Sequence, residues 1–410
     1  MKKNGKVLFE TMTNKKATNH DWLIKNNIWI ALYRQGYDIR VEYKIPEIST
    51  RIVDYEGKPY FKHLKRIYDF LSPYDNSKNY LKTGRIGHSG HLEDCDIYLV
   101  CSNQVVELDE KQHFNSLRGE VLGMYPSDLP LAFNRKEYRE KCGKNAIGKN
   151  ENVVSIWNDV LRDFLPWIVG INPTARIDVT AISAAVTDIT ARAVLDYIKA
   201  SDKAIEFYEK KKGEISSLKY KDSLSRNVDE EKNIIYRYLL DNYEKVFWGY
   251  PSGQLANLSE YDKKEIYPYL KKIYAALENY RGRKIKIGKK KLANCDIYIL
   301  GERRIVELDE VRHFTELRAV ALNNYPKELI IAFDKEEYAD YCNRIKMKDD
   351  DPPYRDEQRA WYDTLRDFLS LSDGKHKPVI RIPLFETKGT GLQLNKEAII
   401  QRLENGLRIQ

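Results

Sequence analysis

Residues 106–114 read VELDEKQHF, and residues 306–314 repeat the pattern as VELDEVRHF. Glu, Leu, Asp, Glu, His and Phe recur at a constant offset of 200 positions. In both copies the acidic residues follow a β-branched run, which predicts that they lie at the end of a buried strand. Ionised carboxylates are costly there unless a cation or a functional demand compensates them. The stretch therefore predicts a functional site that is present twice.

The repeat extends well beyond this motif. Residues 95–142 and 295–342 align without a gap and are identical at 22 of 48 positions. A repeat of this size predicts the duplication of a whole domain, with a Lys- and Glu-rich linker between the two copies. The predicted organisation is a first domain at 1–200 with its core at 64–178, a charged helical linker at 201–228, and a second domain at 229–410 with its core at 270–383.

Composition limits the class of protein. The chain has 410 residues and a formal net charge of +8, which permits a polyanionic partner without requiring one. The five cysteines have no metal-ligand spacing, and their odd number argues against a disulfide framework. The N-terminus lacks a signal-peptide pattern, and no apolar run approaches the length of a membrane span. We therefore expect a soluble cytoplasmic protein with no membrane partner.

The hydrophobic periodicity predicts a coarse order of elements. Helix-like spacing covers residues 20–33, and short β-branched runs at 97–100 and 105–108 predict a hairpin. A helix is expected over 116–123 and a further strand over 129–133. This order predicts an α/β fold in which each domain has a mixed β-sheet flanked by helices.

Carboxylates cluster on this predicted hairpin. Glu107 and Asp109 stand two residues apart on one strand and so share a face, while Asp96 begins the neighbouring strand. Oxygen ligands of this kind suit Mg²⁺ or Mn²⁺ rather than Zn²⁺. The alternative is an acidic hairpin face that is solvated and paired with lysines. The predicted catalytic and metal-binding carboxylates are Asp96, Glu107, Asp109, Asp296, Glu307 and Asp309.

This pattern resembles the PD-(D/E)XK nuclease superfamily. The resemblance implies a restriction-endonuclease-like fold and metal ligands at Asp96, Glu107, Asp296 and Glu307. Asp109 and Asp309 fall where the family usually carries a lysine. Lys111 could replace that lysine in the first copy, but the second copy has valine at the same offset.

The histidine of each motif offers a group that can transfer protons. His113 and His313 stand four residues after the second carboxylate of the motif, just past the predicted strand. A purely structural role for each histidine is the alternative. We expect both to be catalytic.

Several cationic or polar residues are candidates for phosphate contacts. Residues 281–291 alternate cationic and apolar side chains before the second hairpin, which predicts a strand with one cationic face. Ion pairing on a helix surface is the alternative for Arg118 and Arg318. The candidates are Gln112, Arg118, Lys284, Lys286, Arg312 and Arg318.

Together these features predict a Mg²⁺- or Mn²⁺-dependent endonuclease that hydrolyses double-stranded DNA. Two fused copies would give a monomer with internal pseudo-twofold symmetry, which matches duplex DNA and suits a restriction or phage-defence enzyme. A DNA-binding protein with one or both sites inactive is the alternative, and an RNA-directed nuclease is a further one.

Overall fold

The computed structural model of the chain divides into two compact units, Met1–Ser223 and Leu224–Gln410. Most of the predicted linker, residues 201–227, lies outside the part of the chain that the structure describes. The described residues are 18–45, 48–100, 102–143, 152–181, 228–348, 355–384 and 396–409.

The first unit is built on a four-stranded mixed sheet in the order β1-β2-β3-β4. Strands β1, β2 and β3 are antiparallel neighbours, whereas β4 runs parallel to β3. A parallel neighbour requires a crossover, and here the chain between β3 and β4 passes through four helices. The strands are β1 Ile39–Tyr43, β2 Cys95–Leu99, β3 Gln104–Asp109 and β4 Asn172–Asp178.

Helices surround this sheet. Asn115 and Asn152 each accept a hydrogen bond at a helix N-terminus and so satisfy a backbone N–H that the helix leaves unpaired. A short 3₁₀ turn, Lys111–His113, follows β3 directly and carries the histidine of the motif. The α-helices are α1 Thr18–Arg34, α2 Phe61–Leu71, α3 Tyr80–Thr83, α4 Ser116–Gly123, α5 Arg135–Gly143, α6 Val153–Asp163 and α7 Leu165–Ile168.

The second unit repeats the sheet in the order β5-β6-β7-β8, again with only the last pair parallel. Its strands are β5 Val246–Tyr250, β6 Cys295–Ile299, β7 Arg304–Glu310 and β8 Ile380–Leu384. Its α-helices are α8 Val228–Asn242, α9 Tyr267–Arg281, α10 Glu316–Asn323, α11 Lys335–Ile345, α12 Asp356–Asp367, α13 Leu369–Asp373 and α14 Lys396–Arg408.

A buried tryptophan lies at the centre of each core. Trp157 on α6 is fully buried, and its indole N–H donates to the carbonyl oxygen of Thr50 at 2.9 Å. Trp361 on α12 is buried in the same way and donates to Ala256 at 2.8 Å. Because the indole nitrogen has a partner, each ring can bury its large apolar surface without stranding a donor.

The structure confirms the α/β class, the hairpin and the two helices predicted in the first copy. It also shows strands that the sequence interpretation missed at both edges of each sheet, namely β1, β4, β5 and β8. Among the described cysteines, Cys95, Cys142, Cys295 and Cys342 are free and buried, as expected of small apolar side chains. No helix in the described ranges has the length and apolar character needed to cross a bilayer.

Two predicted strands are wrong. Residues 129–133 form no strand: Leu129 N–H closes a turn on Pro126, and Pro130 has no N–H to donate to a sheet. Residues 281–291 form no strand either: Arg281 ends α9, and the chain after it is irregular apart from an isolated bridge at Lys291. In both stretches the apolar residues pack against the core although the backbone is irregular. The spacing of these apolar residues therefore resembled that of a strand.

Candidate functional site

The hairpin of β2 and β3 brings two predicted carboxylates together. In the antiparallel register of these strands, Ile97 pairs with Val106. Asp96 precedes Ile97 and Glu107 follows Val106, so the two acidic residues lie opposite each other. Asp96 Oδ2 accepts a hydrogen bond from the backbone N–H of Leu108 at 2.8 Å. In the second unit Asp296 Oδ2 accepts from Leu308 N–H at 2.7 Å. The hairpin thus forms the same carboxylate pair twice.

A lysine from the first helix of each unit reaches this acidic edge. Lys25 on α1 lies 2.9 Å from Asp96 Oδ1 and 3.1 Å from Glu110 Oε1. Lys232 on α8 lies 2.5 Å from Glu310 Oε1. Both lysines begin a Lys-Asn-x-Ile pattern. Comparing residues 25–28 with residues 232–235 reveals that signal, which the sequence predictions did not include.

The second carboxylate of the pair is buried and only partly compensated. Glu107 is 3% exposed, and burial raises its pKa to about 7 although Arg162 opposes the shift. Arg162 Nε lies 3.2 Å from Glu107 Oε1, but neither atom has a hydrogen-bond partner among the described residues. We therefore regard this contact as charge proximity without a directed bond.

The equivalent carboxylate of the second unit behaves in the same way. Burial raises the pKa of Glu307 to about 8, against the opposing effect of Arg366 at 2.6 Å. Burial also raises the pKa of Asp296, while the Leu308 N–H and Lys232 act in the opposite direction. The second unit thus contains two neighbouring carboxylates whose negative charge is only partly compensated by the neighbouring cations.

Asp109 points instead into a buried ion-pair network. Arg176 Nη1 lies 2.8 Å from Asp109 Oδ1, and the Tyr138 hydroxyl donates to Oδ2 at 2.9 Å. Arg176 also contacts Asp159 at 3.1 Å and Asp163 at 2.8 Å. One guanidinium on β4 therefore binds three aspartates, of which two come from α6.

The second unit reproduces this network around Arg381 on β8. Its guanidinium lies 2.8 Å from Asp309, 3.3 Å from Asp363 and 2.6 Å from Asp367. The segment Leu-Arg-Asp-Phe-Leu occurs at both 161–165 and 365–369, and Arg-Ile occurs at both 176–177 and 381–382. Their charged residues are the partners of the predicted site.

The prediction that Arg118 and Arg318 contact phosphate is not supported, because both side chains are buried in these networks. Arg118 lies 2.5 Å from Asp163 Oδ2 and donates to the Tyr125 hydroxyl at 2.7 Å. Arg318 makes the equivalent contact with Asp367 at 2.6 Å. Buried charges are stable only when they are paired. Helix periodicity does not show whether an arginine has a buried partner, so the sequence alone could not distinguish Arg118 and Arg318 from surface arginines.

His113 and His313 are anchored to the same networks. His113 Nδ1 lies 3.1 Å from Asp159 Oδ2 and 3.5 Å from Asp109 Oδ1. Burial alone would lower the pKa of His113, but the Asp159 and Asp109 carboxylates outweigh it and raise the pKa to about 9. The pKa of His313 is raised by Asp363 and Asp309 in the same manner. The pKa of His113 thus lies above neutral pH, and the pKa of His313 is shifted in the same direction.

Two groups of three side chains could hold a metal ion, since their ligand atoms lie within 4.8 Å of one another: Asp109, His113 and Asp159, and Asp309, His313 and Asp363. The charges of these groups argue against Mg²⁺. In the first unit three aspartates face Arg118, Arg176 and a protonated His113, so the network is already neutral. A protonated imidazole must also lose its proton before it can bind a metal.

The carboxylate pairs at Asp96/Glu107 and Asp296/Glu307 fit a hard divalent cation better. Their atoms are oxygens, and the glutamates remain undercompensated despite the neighbouring arginines. Among the described residues, neither pair belongs to a cluster of three ligands. Water and substrate oxygens would therefore complete the coordination, as is usual for Mg²⁺.

Comparison of the chain with protein-family models, with curated proteins and with solved structures finds no significant match.

The remaining predicted phosphate contacts lie at the surface. Gln112 and Arg312 are exposed on the 3₁₀ turns after β3 and β7, and each contacts the preceding glutamate, Glu110 or Glu310. Lys284 and Lys286 are exposed on the irregular chain after α9. These four side chains can reach a large ligand.

The raised pKa values predict a stability that falls as pH rises. Between the unfolded and folded pKa the folded state binds more protons, so stability decreases from about pH 5 to about pH 9. Glu107, Glu307 and His113 all shift in this direction. His113 alone contributes on the order of 2–3 kcal/mol, fully present below about pH 6.5 and lost as pH rises through 9. Thermal unfolding in EDTA across this range measures the decline.

The control for this pH dependence is His113→Gln, which removes the contribution of His113 above about pH 6.5 and leaves those of Glu107 and Glu307. A wild-type protein whose midpoint temperature rises between pH 6.5 and 9 would contradict the raised pKa.

Proposed function

We propose that the protein is a metal-dependent nuclease that hydrolyses phosphodiester bonds at the edge formed by β2 and β3 and its copy at β6 and β7. The observation that carries the proposal is the pair of buried carboxylates in each unit, of which Glu107 and Glu307 stay undercompensated. Retaining such a pair costs stability, and a divalent cation is the ligand that would offset the cost.

Asp96 and Glu107, with Asp296 and Glu307, would hold Mg²⁺ or Mn²⁺. A bound ion of this kind lowers the pKa of a water ligand and stabilises charge on a phosphodiester. Asp96 is oriented by the Leu108 N–H and Asp296 by the Leu308 N–H. These backbone donors fix one oxygen of each carboxylate. In the first unit the other oxygen of Asp96 contacts Lys25, so a metal ion would have to displace that ammonium group.

The lysines and histidines have separate roles in this proposal. Lys25 and Lys232 place an ammonium group at the acidic edge, where the family that the motif resembles has its lysine on the strand. His113 commits Nδ1 to Asp159, which leaves Nε2 as the nitrogen that can face a ligand. Because the pKa of His113 lies above neutral pH, we assign His113 the role of proton donor to a leaving oxygen, and His313, which holds the equivalent position, the same role.

Double-stranded DNA is the proposed substrate, with a restriction or phage-defence role. The basic net charge supports a polyanionic substrate, and the pair of similar α/β units is compatible with the restriction-endonuclease-like fold that the motif implies.

The test is cleavage of supercoiled plasmid by the full chain in Mg²⁺. Replacing Glu107 and Glu307 together by glutamine should abolish metal-dependent nicking and linearisation, since neutral amides bind Mg²⁺ weakly. A matched variant, Asp69→Asn with Asp340→Asn, removes two carboxylates from exposed helix ion pairs and should cleave normally. Cleavage that survives the double glutamine variant would refute the assignment.

The second candidate function is DNA binding without cleavage. It is favoured by the cations that already stand beside the carboxylates, namely Lys25, Arg162 and Arg366. Duplex binding with no Mg²⁺-dependent product, and no heat of Mg²⁺ or Mn²⁺ binding by calorimetry, would select this candidate.

A further inference from the structure

The second unit has a strongly cationic surface segment that the first unit lacks. Seven of the eleven residues 281–291 are Lys or Arg, and none is Asp or Glu. The segment between α3 and β2 of the first unit, residues 82–91, has only one lysine, one arginine and two histidines. The two units therefore differ in charge just before their site hairpins. We name residues 281–291 the cationic segment.

The backbone of the cationic segment is held in place although it forms no regular structure. Ile285 is 6% exposed, and its N–H donates to the Glu278 carboxylate at 3.1 Å. The carbonyl oxygen of Lys286 accepts from the Gln358 amide on α12 at 2.6 Å. Lys290 O accepts at 3.0 Å from a backbone N–H. A segment fixed at these points presents its side chains at defined positions and loses little entropy on binding.

The lysines of the segment project into solvent. Lys284, Lys286, Lys289, Lys290 and Lys291 are all exposed. Among the described residues, their ammonium groups form one ion pair, which joins Lys284 to the Glu278 carboxylate on α9 at 3.7 Å. With Lys284 92% exposed, this contact is heavily screened and neutralises little of the surface charge. The segment therefore presents a positive surface of several charges.

Arg366 connects the cationic segment to the proposed site. Its Nη2 donates at 2.8 Å to the carbonyl oxygen of Ala293, two residues past the segment. Its Nε lies 2.6 Å from Glu307 Oε1. Three residues after Ala293 the chain reaches Asp296, the other carboxylate of the pair. A DNA strand bound along the cationic segment would thus extend directly to the carboxylates of the site.

We propose that the cationic segment binds the phosphate backbone of double-stranded DNA and delivers it to the site of the second unit. The proposal rests on the nuclease function argued above. The lysines exposed along the segment can pair with the phosphates of DNA, whose neutralisation releases counterions and so drives binding. The chemistry of a membrane surface fits less well, because Ile285 is buried and Ile287 packs on the core, which leaves no exposed aliphatic side chain in the segment to insert.

The test measures the affinity of the full chain for a fluorescent duplex oligonucleotide by anisotropy, in EDTA, over a series of salt concentrations. The test variant carries Lys284→Gln, Lys286→Gln and Lys289→Gln. The matched control carries Lys263→Gln, Lys327→Gln and Lys375→Gln, three exposed lysines of the same unit outside the segment. Both variants lose three charges, so net charge alone cannot separate them.

The expected result is a weaker salt dependence in the test variant only. Each lost phosphate contact should lower the slope of log affinity against log salt by about 0.9, so three should lower it by about 2–3. The control should keep the wild-type slope within about 0.5. Equal slopes for the two variants would overturn the proposal, and so would wild-type binding to phosphatidylserine vesicles without binding to the duplex.

Because EDTA removes metal, this result is independent of cleavage. A lower slope in the test variant supports the segment even if the plasmid assay finds no nuclease. Normal Mg²⁺-dependent cleavage combined with an unchanged slope overturns the segment and leaves the nuclease function standing.

Discussion

Replacing Arg381 by methionine lowers the free energy of unfolding of the second unit by about 3–5 kcal/mol. The guanidinium is 1% exposed and contacts three aspartates. Its removal leaves Asp309, Asp363 and Asp367 as buried carboxylates whose ion-pair partners, among the described residues, are His313 and Arg318. Urea denaturation of the full chain, followed by tryptophan fluorescence, to which the buried Trp361 contributes, measures the loss.

The matched control for this substitution is Arg304→Met. Arg304 is also fully buried, but its guanidinium donates to the carbonyl oxygens of Gly406 and Ile409 rather than to a cluster of aspartates. Leaving carbonyl oxygens unpaired costs about 1–3 kcal/mol. If the loss at Arg381 is no greater than that at Arg304, the aspartates are not held as uncompensated charges.

A rescue experiment separates charge from packing. Adding Asp309→Asn and Asp367→Asn to the Arg381→Met variant removes two of the uncompensated charges and should restore part of the lost stability. No recovery would mean that the guanidinium acts mainly by filling space.

On the proposed nuclease function, we expect Asp296→Asn to reduce Mg²⁺-dependent plasmid cleavage at least about 100-fold, because the loss of a metal ligand would remove several kcal/mol of stabilisation. Asp96→Asn reduces it less than about tenfold. The difference follows from the lysines: Lys25 bonds to Asp96 directly, whereas Lys232 bonds to Glu310. Asp296 is left with a raised pKa and is the better cation ligand. Gel analysis of nicked and linear products measures both rates.

Accessibility supports the same difference between the units. The Glu307 side chain is 14% exposed where Glu107 is 4%, and the His313 side chain is 24% exposed where His113 is 13%. The second site is therefore the more open to a polymer. Exposed-pair variants Asp69→Asn and Asp340→Asn, made singly, control for loss of charge in each unit. Equal loss from Asp96→Asn and Asp296→Asn would show that both sites contribute alike.

Local contacts account for the predictions that the structure confirms. The hairpin could be predicted because its two strands are joined by a short turn, so alternation within each strand sets the register. Asp96 and Glu107 face each other for the same reason. The duplication was visible because the motif and its surroundings retain one spacing through 48 positions.

The errors share a different physical origin. The sequence interpretation placed Asp109 with Asp96 and Glu107, because residues two apart on a strand share a face. In the structure Asp109 bonds to Arg176 on β4, a strand that was not predicted and that begins 62 residues after β3 ends. Periodicity does not specify which distant charge meets a carboxylate.

The amino-acid sequence by itself determined the duplication, the α/β class, the hairpin and the pairing of Asp96 with Glu107, since short-range spacing controls each of them. Only the tertiary structure decided how deeply those carboxylates are buried and which charged side chains lie beside them. The crossover that sets β4 parallel to β3 places Arg176 beside Asp109. The packing of α6 places Arg162 beside Glu107, and the packing of α1 places Lys25 beside Asp96. Burial and charge at the site depend on these long-range contacts, because desolvation and ion pairing act through space rather than along the chain.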